Sequence, residues 1–126
     1  MRVLLAGNHP QVQWALRTAI KAQANLSLVG EIVKADQILS QTEILQPDLI
    51  FMEWEMSGDP AGSALQSLRR LANPPRLIVL NHNLQLKDAA MAAGADFFIS
   101  MADPPEKLLE ILQTLIDTDF KRRDPK

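Results

Sequence analysis

The chain has 126 residues, 47% hydrophobic and 22% charged; this is the size of one domain with one core, and the balance excludes general disorder and a fibrous repeat. Its 13 basic and 15 acidic residues leave a formal charge of -2, and without a face-long basic stripe nucleic acid is not expected as a direct partner. The absence of cysteine excludes disulfides, thiolate metal sites and cysteine nucleophiles, and no stretch approaches the ~20 apolar residues of a membrane span, so a soluble, cytoplasmic chain with no membrane partner is expected.

Five short apolar runs alternate with longer amphipathic stretches: Arg2–Ala6, Leu26–Val33, Asp48–Trp54, Arg76–Asn81 and Asp96–Ser100. Rich in Val, Ile, Leu and Phe without strict alternation, they read as strands buried on both faces, as a parallel sheet between helices requires. The first helix follows His9-Pro10 and carries Val12, Leu16, Ala19 and Ile20 at helical spacing, with proline suited to a first turn. The second spans Lys34–Gln46, with Ile38, Leu39, Thr42 and Leu45 on one side, and stops before Pro47 because proline disfavours the helical region for its predecessor. The third, Pro60–Ala72, carries Ala61, Ala64, Leu65, Leu68 and Leu71 and ends at Asn73-Pro74-Pro75. The fourth, Leu84–Ala93, closes at Gly94; the fifth is capped by Asp103, with Pro104 in its first turn and Glu106 at the third helical position. Leu108, Leu109, Ile111, Leu112, Leu115 and Ile116 give this last helix its buried side.

Five βα units with short connections predict an α/β fold, a single doubly wound (βα)5 domain with a parallel five-stranded sheet in the order 2-1-3-4-5. Residues 1–118 form the expected domain and 119–126 a short polar tail. The basic residues of that tail, Lys121, Arg122, Arg123 and Lys126, are diluted by Asp119 and Asp124 and read as a solvated terminus.

In such a sheet, chemistry gathers at the carboxyl ends of the strands. These ends are Gly7-Asn8-His9-Pro10, Glu53-Trp54-Glu55-Met56-Ser57-Gly58, Asn81-His82-Asn83 and Ser100-Met101. The framework Pro47-Asp48-Leu49-Ile50-Phe51-Met52-Glu53, then Met56-Ser57-Gly58, Pro75-Arg76-Leu77-Ile78-Val79-Leu80 and Gly94-Ala95-Asp96-Phe97-Phe98 resembles the receiver domain of response regulators, from Met1 to about Ile116. That resemblance implies the flavodoxin-like fold and a place in two-component signal transduction. It also implies positions for the working residues, and at these the chain departs. The family's acidic metal pair falls on Gly7 and Asn8, its phosphate-accepting aspartate on Glu53, its hydroxyl residue on Asn81 and its lysine on Met101; its switch aromatic falls on Phe98.

Magnesium prefers hard, anionic oxygen ligands in an octahedral shell, which one carboxylate and an amide supply poorly. Phosphoryl transfer depends on positioning and charge neutralisation, and both are weakened by this set. The expectation is therefore an atypical receiver that is no enzyme, needs no cofactor and acts as a phosphorylation-independent interaction module. Its partner would be another protein or a second copy, met through the face of the fourth helix, fifth strand and fifth helix (α4-β5-α5) or through the first helix.

Glu53 could either mimic a phosphorylated aspartate by extending negative charge outward or be an acidic residue in a decayed pocket. An alternative function is a small-molecule or metal-binding flavodoxin-like domain using the vacated pocket around Gly7, Asn8, Glu53, Asn81 and His82. His9, Glu53 and His82 are ligand types zinc accepts, although histidines in adjacent loops often converge without a metal. A residual phosphoacceptor at Asp48 or Glu55 is the weakest reading, because Asp48 begins its strand at the far end. Trp14 and Trp54 are candidates for partner contact, with packing as the ordinary alternative. No Gly-x-Gly-x-x-Gly or Walker pattern follows the first strand, so nucleotide binding has no motif support.

Overall fold

A computed structural model describes residues 1–54, 63–81, 83–100, 107–108, 110–114 and 117 of the chain. The strands are β1 (Arg2–Ala6), β2 (Ser27–Ile32), β3 (Leu49–Glu53), β4 (Arg76–Asn81) and β5 (Phe97–Ser100). They form one sheet in the order β2-β1-β3-β4-β5, and every neighbouring pair runs parallel. The expected order and the doubly wound fold are thus observed, with strand boundaries within one residue of those read from the sequence.

The helices are α1 (Pro10–Lys21), α2 (Ile38–Leu45), α3 (Ser63–Arg69) and α4 (Lys87–Ala93), and the described residues from 107 to 117 are helical as a fifth, α5. Side-chain alternation along each strand splits the core into two layers. Leu4, Ile50, Met52, Leu77 and Val79 face Ile38, Leu65, Leu68 and Ala90 of α2, α3 and α4. Val3, Leu5, Phe51, Ile78 and Ile99 face Leu16 and Ile20 of α1 and Ile111 and Leu112 of α5. All five residues of β3 are buried, which explains its unbroken apolar run.

Local departures from the expected helices have physical reasons. The second helix begins as a 3-10 turn over Ala35–Gln37 and becomes α-helical only at Ile38. Leu39, expected on its buried side, is 40% exposed, while Ile38 and Thr42 of the same expected stripe are buried. At its end Gln46 takes the left-handed conformation, φ 51°, and its N–H donates to Thr42 O at 2.9 Å, closing the helix before Pro47. The fourth helix likewise starts with a 3-10 turn, Leu84–Leu86, and Gly94, at φ 121°, ends it. Ala61, Asp103, Pro104, Glu106, Leu109, Leu115, Ile116 and the 119–126 tail lie outside the described residues.

Candidate functional site

The connection leaving β1 runs to β2 on one side, and the chain then returns to β3 on the other. The ends of β1 and β3 therefore flank the topological switch point of the sheet, where an open α/β fold has its crevice. Gly7 follows β1 and its N–H donates to Ile32 O at 2.9 Å, while Glu53 closes β3, in register with Leu80.

Glu53 is completely buried, at 0% exposure. Its side chain turns towards the start of α1. Oε1 pairs with His9 Nδ1, and Oε2 accepts from the His9 backbone N–H at 3.4 Å and from Gln13 Nε2 at 3.3 Å. With its proton on Nδ1, the His9 ring donates to this carboxyl group. His9 is the N-cap of α1 and makes no side-chain cap of its own. The Glu53 carboxyl group therefore sits at the N-terminal end of a 12-residue helix, where backbone N–H groups are without helical partners.

Gly7 has a steric reason to be glycine. A Cβ at this position would stand 2.0 Å from Glu53 Oε2 and 2.4 Å from Gln13 Nε2. The structure thus brings Gly7, His9 and Glu53 together and adds Gln13, a residue not singled out from the sequence. The signal was present: Gln13 lies three residues before Leu16 and seven before Ile20, on the buried stripe of α1, where a polar side chain needs a partner. Its Oε1 is buried with no hydrogen-bond partner among the described residues.

At the end of β4, Asn81 is buried and its Oδ1 accepts from the Asn83 N–H at 2.8 Å; Asn83 Oδ1 in turn accepts from the Gln85 N–H at 2.9 Å. These successive side-chain turns build the entry to α4. Phe98 is buried in the α2, α3 and α4 layer. Met101, His82 and Glu55 lie outside the described residues. Asp48 stands at the opposite end of β3, where its Oδ2 accepts from the Arg2 N–H at 2.7 Å. Among the described residues, no three His, Cys, Asp or Glu side chains come together as a metal cage.

Beside the switch point, a hollow of about 570 Å³ opens between α1 and the edge strand β2, lined by Gly7, Asn8, Pro10, Gln13, Trp14, Arg17, Glu31 and Val33. Trp14 is 64% and Val33 61% exposed, whereas Trp54 is half-buried against the core. Packing, the ordinary reading for both tryptophans, thus fails for Trp14. Across the hollow Arg17 holds Glu31 in a two-point ion pair, Nε to Oε2 at 2.8 Å and Nη2 to Oε1 at 2.7 Å. The hydrogen bond from Arg17 holds the Glu31 carboxyl below its ordinary value, and the same bond raises that of Arg17.

A family model for the response regulator receiver domain matches residues 3–113. The chain belongs to that family. As a receiver domain it is a component of two-component signalling. It is 29% identical over 112 residues to the nitrate/nitrite response regulator protein NarL of Escherichia coli K12, covering 87% of this chain and 52% of that protein. Similarity to the transcriptional activator protein ExaE of Pseudomonas putida is 30% over 121 residues, 92% of this chain and 55% of that one. The chain thus spans about half the length of the curated relatives it matches. Among solved structures, the response regulatory domain of protein mrkE from Klebsiella pneumoniae superposes with a TM-score of 0.85 at 17% identity, covering 98% of this chain and 100% of that one. No helix among the described residues is long and apolar enough to cross a membrane.

Proposed function

We propose that this receiver domain works without taking up phosphate, is not an enzyme, and passes its signal by contact with a protein partner. The observation that carries this reading is the burial of Glu53. A carboxylate that accepts phosphate must present an oxygen to the incoming phosphorus in line with the leaving group. Here the carboxylate at the strand end has no exposed surface, and both its oxygens are engaged by His9 and Gln13.

The neighbouring positions support the same reading. Gly7 and Asn8 bring no carboxylate to a cation, position 101 is methionine, and Asn81 Oδ1 is spent on the turn into α4. The inward pose of Glu53 also speaks against its standing in for an outward phosphoryl group.

For the partner, the first-helix face offers an exposed apolar surface. Trp14 and Val33 present apolar area beside a carboxylate and a guanidinium, Glu31 and Arg17. A patch bearing both charges complements its own copy across a two-fold axis, so a homodimer through α1 and the β2 edge is the preferred occupant.

The decisive experiment is incubation with magnesium and acetyl phosphate followed by intact mass measurement. The expected result is an unchanged mass; a stoichiometric gain of one phosphate overturns the reading.

A further inference from the structure

The space beside Gly7 is already filled. The position a Cβ at residue 7 would take lies 2.0 Å from Glu53 Oε2, far inside any real contact, and 2.4 Å from Gln13 Nε2. Glu53 Oε2 is the free end of a side chain, but it cannot step aside cheaply: it is wholly buried and held by the His9 N–H and by Gln13 Nε2. Gln13 is itself buried, on a stripe fixed by Leu16 and Ile20. Any side chain at position 7 must therefore expel the Glu53 carboxylate from its hydrogen bonds.

We infer that the Glu53 carboxylate is an internal ligand of the strand-end crevice: it occupies the space that a carboxylate at position 7 would need, with Gln13 as its positioning residue, so that the crevice is closed to a divalent cation by steric exclusion as well as by missing charge. The inference rests on the reading above and deepens it. An acidic residue at position 7 and the present pose of Glu53 exclude one another. The longer side chain at 53 and the absent one at 7 are two halves of a single arrangement. A magnesium site does not fit these residues, because its coordination demands several oxygens in octahedral array, whereas the one carboxylate that the described residues bring to the crevice already has both oxygens engaged by His9 and Gln13.

The test is magnesium titration of the whole chain by isothermal calorimetry, with denaturant unfolding of each variant alongside. The parent should show no saturable binding at millimolar magnesium. Gly7→Asp alone should be destabilised, because the new side chain expels the Glu53 carboxylate from its hydrogen bonds. Gly7→Asp combined with Glu53→Asp, in which the shorter side chain at 53 withdraws from position 7 and releases Gln13 Nε2, should recover stability relative to Gly7→Asp and bind magnesium at least tenfold more tightly than the parent.

Binding by Gly7→Asp alone at parental stability overturns the exclusion, and so does a stable double variant that binds no better than the parent. If Gly7→Asp does not fold, Gly7→Ala in the parent and in the Glu53→Asp background answers the same question: equal destabilisation in both overturns the inference. Gln13→Ala should loosen the carboxylate, seen as a shift of the Glu53 side-chain carboxyl signal in NMR; an unmoved signal removes the positioning role from Gln13. Parental magnesium binding without phosphate uptake would sink this inference and leave the proposed function standing, whereas phosphate uptake by the parent sinks that function directly.

Discussion

Glycine is required at position 7 by a neighbour rather than by its own backbone, since the positive-φ glycine among the described residues is Gly94. Gly7→Ala is expected to cost about 1–3 kcal/mol, the usual range for forcing a methyl group into filled space. In a Glu53→Ala background the same change should cost less, because the nearest obstructing atom is gone and Gln13 Nε2, at 2.4 Å, is no longer held by that carboxylate. Chemical denaturation of the four proteins gives the coupling, expected at about 0.5–3 kcal/mol for residues in contact, and a coupling near zero would show that Glu53 does not fill that space. At this scale the sequence was partly legible. Gly7, Asn8, Glu53 and Asn81 could be placed at strand ends by counting along apolar runs, and a resemblance supplied their roles. The direction of the Glu53 side chain was not legible, because it depends on which partner offers donors. Those donors, the His9 N–H and Gln13 Nε2, come from a helix whose distance from β3 no spacing rule gives.

At the scale of elements, the joint between α1 and β2 is held by Arg17 and Glu31 on the outside and by Leu16 and Ile20 beneath. Because the hydrogen bond from Arg17 lowers the Glu31 carboxyl in the folded chain, the pair contributes stability above the ordinary carboxylate range. That contribution fades as the pH falls through the lowered folded-state value. Glu31→Gln should therefore be less stable than the parent at neutral pH, and the gap should close in acid; pH-dependent urea unfolding checks this, and a gap that persists unchanged at pH 2 refutes it. The exposed pair itself has modest strength. Trp14→Ala on the same joint should leave stability within about 0.5 kcal/mol yet weaken self-association in sedimentation equilibrium, and unchanged association would move the contact elsewhere. Trp14's exposure was only partly readable: the sequence made it a candidate for partner contact, with packing as the ordinary reading. The exposure of Leu39 on α2 was not, since a 3-10 turn and an α-helical turn carry nearly the same apolar spacing over so few residues.

The whole molecule is a sheet between two helical layers, and its architecture was the most legible feature: five apolar runs separated by amphipathic stretches leave few ways to wind a parallel sheet, although the edge strand β2, expected to be buried on both faces, is only partly covered. What the runs did not disclose is how completely the sheet separates the two cores. Leu65 of α3 lies in one and Ile20 of α1 in the other, each with no exposed surface. Truncating either to alanine opens a cavity that costs about 2–5 kcal/mol. The β-sheet stands between them and among the described residues they belong to separate packing clusters, so the two losses should add rather than overlap. Against a typical domain stability of about 5–15 kcal/mol, Leu65→Ala and Ile20→Ala should each remain folded with a lowered unfolding midpoint, whereas the double variant should be close to unfolding without denaturant. Guanidinium titrations followed by circular dichroism supply all three midpoints. A double variant no less stable than the weaker single would mean that strain passes through the sheet and that the two layers behave as one core.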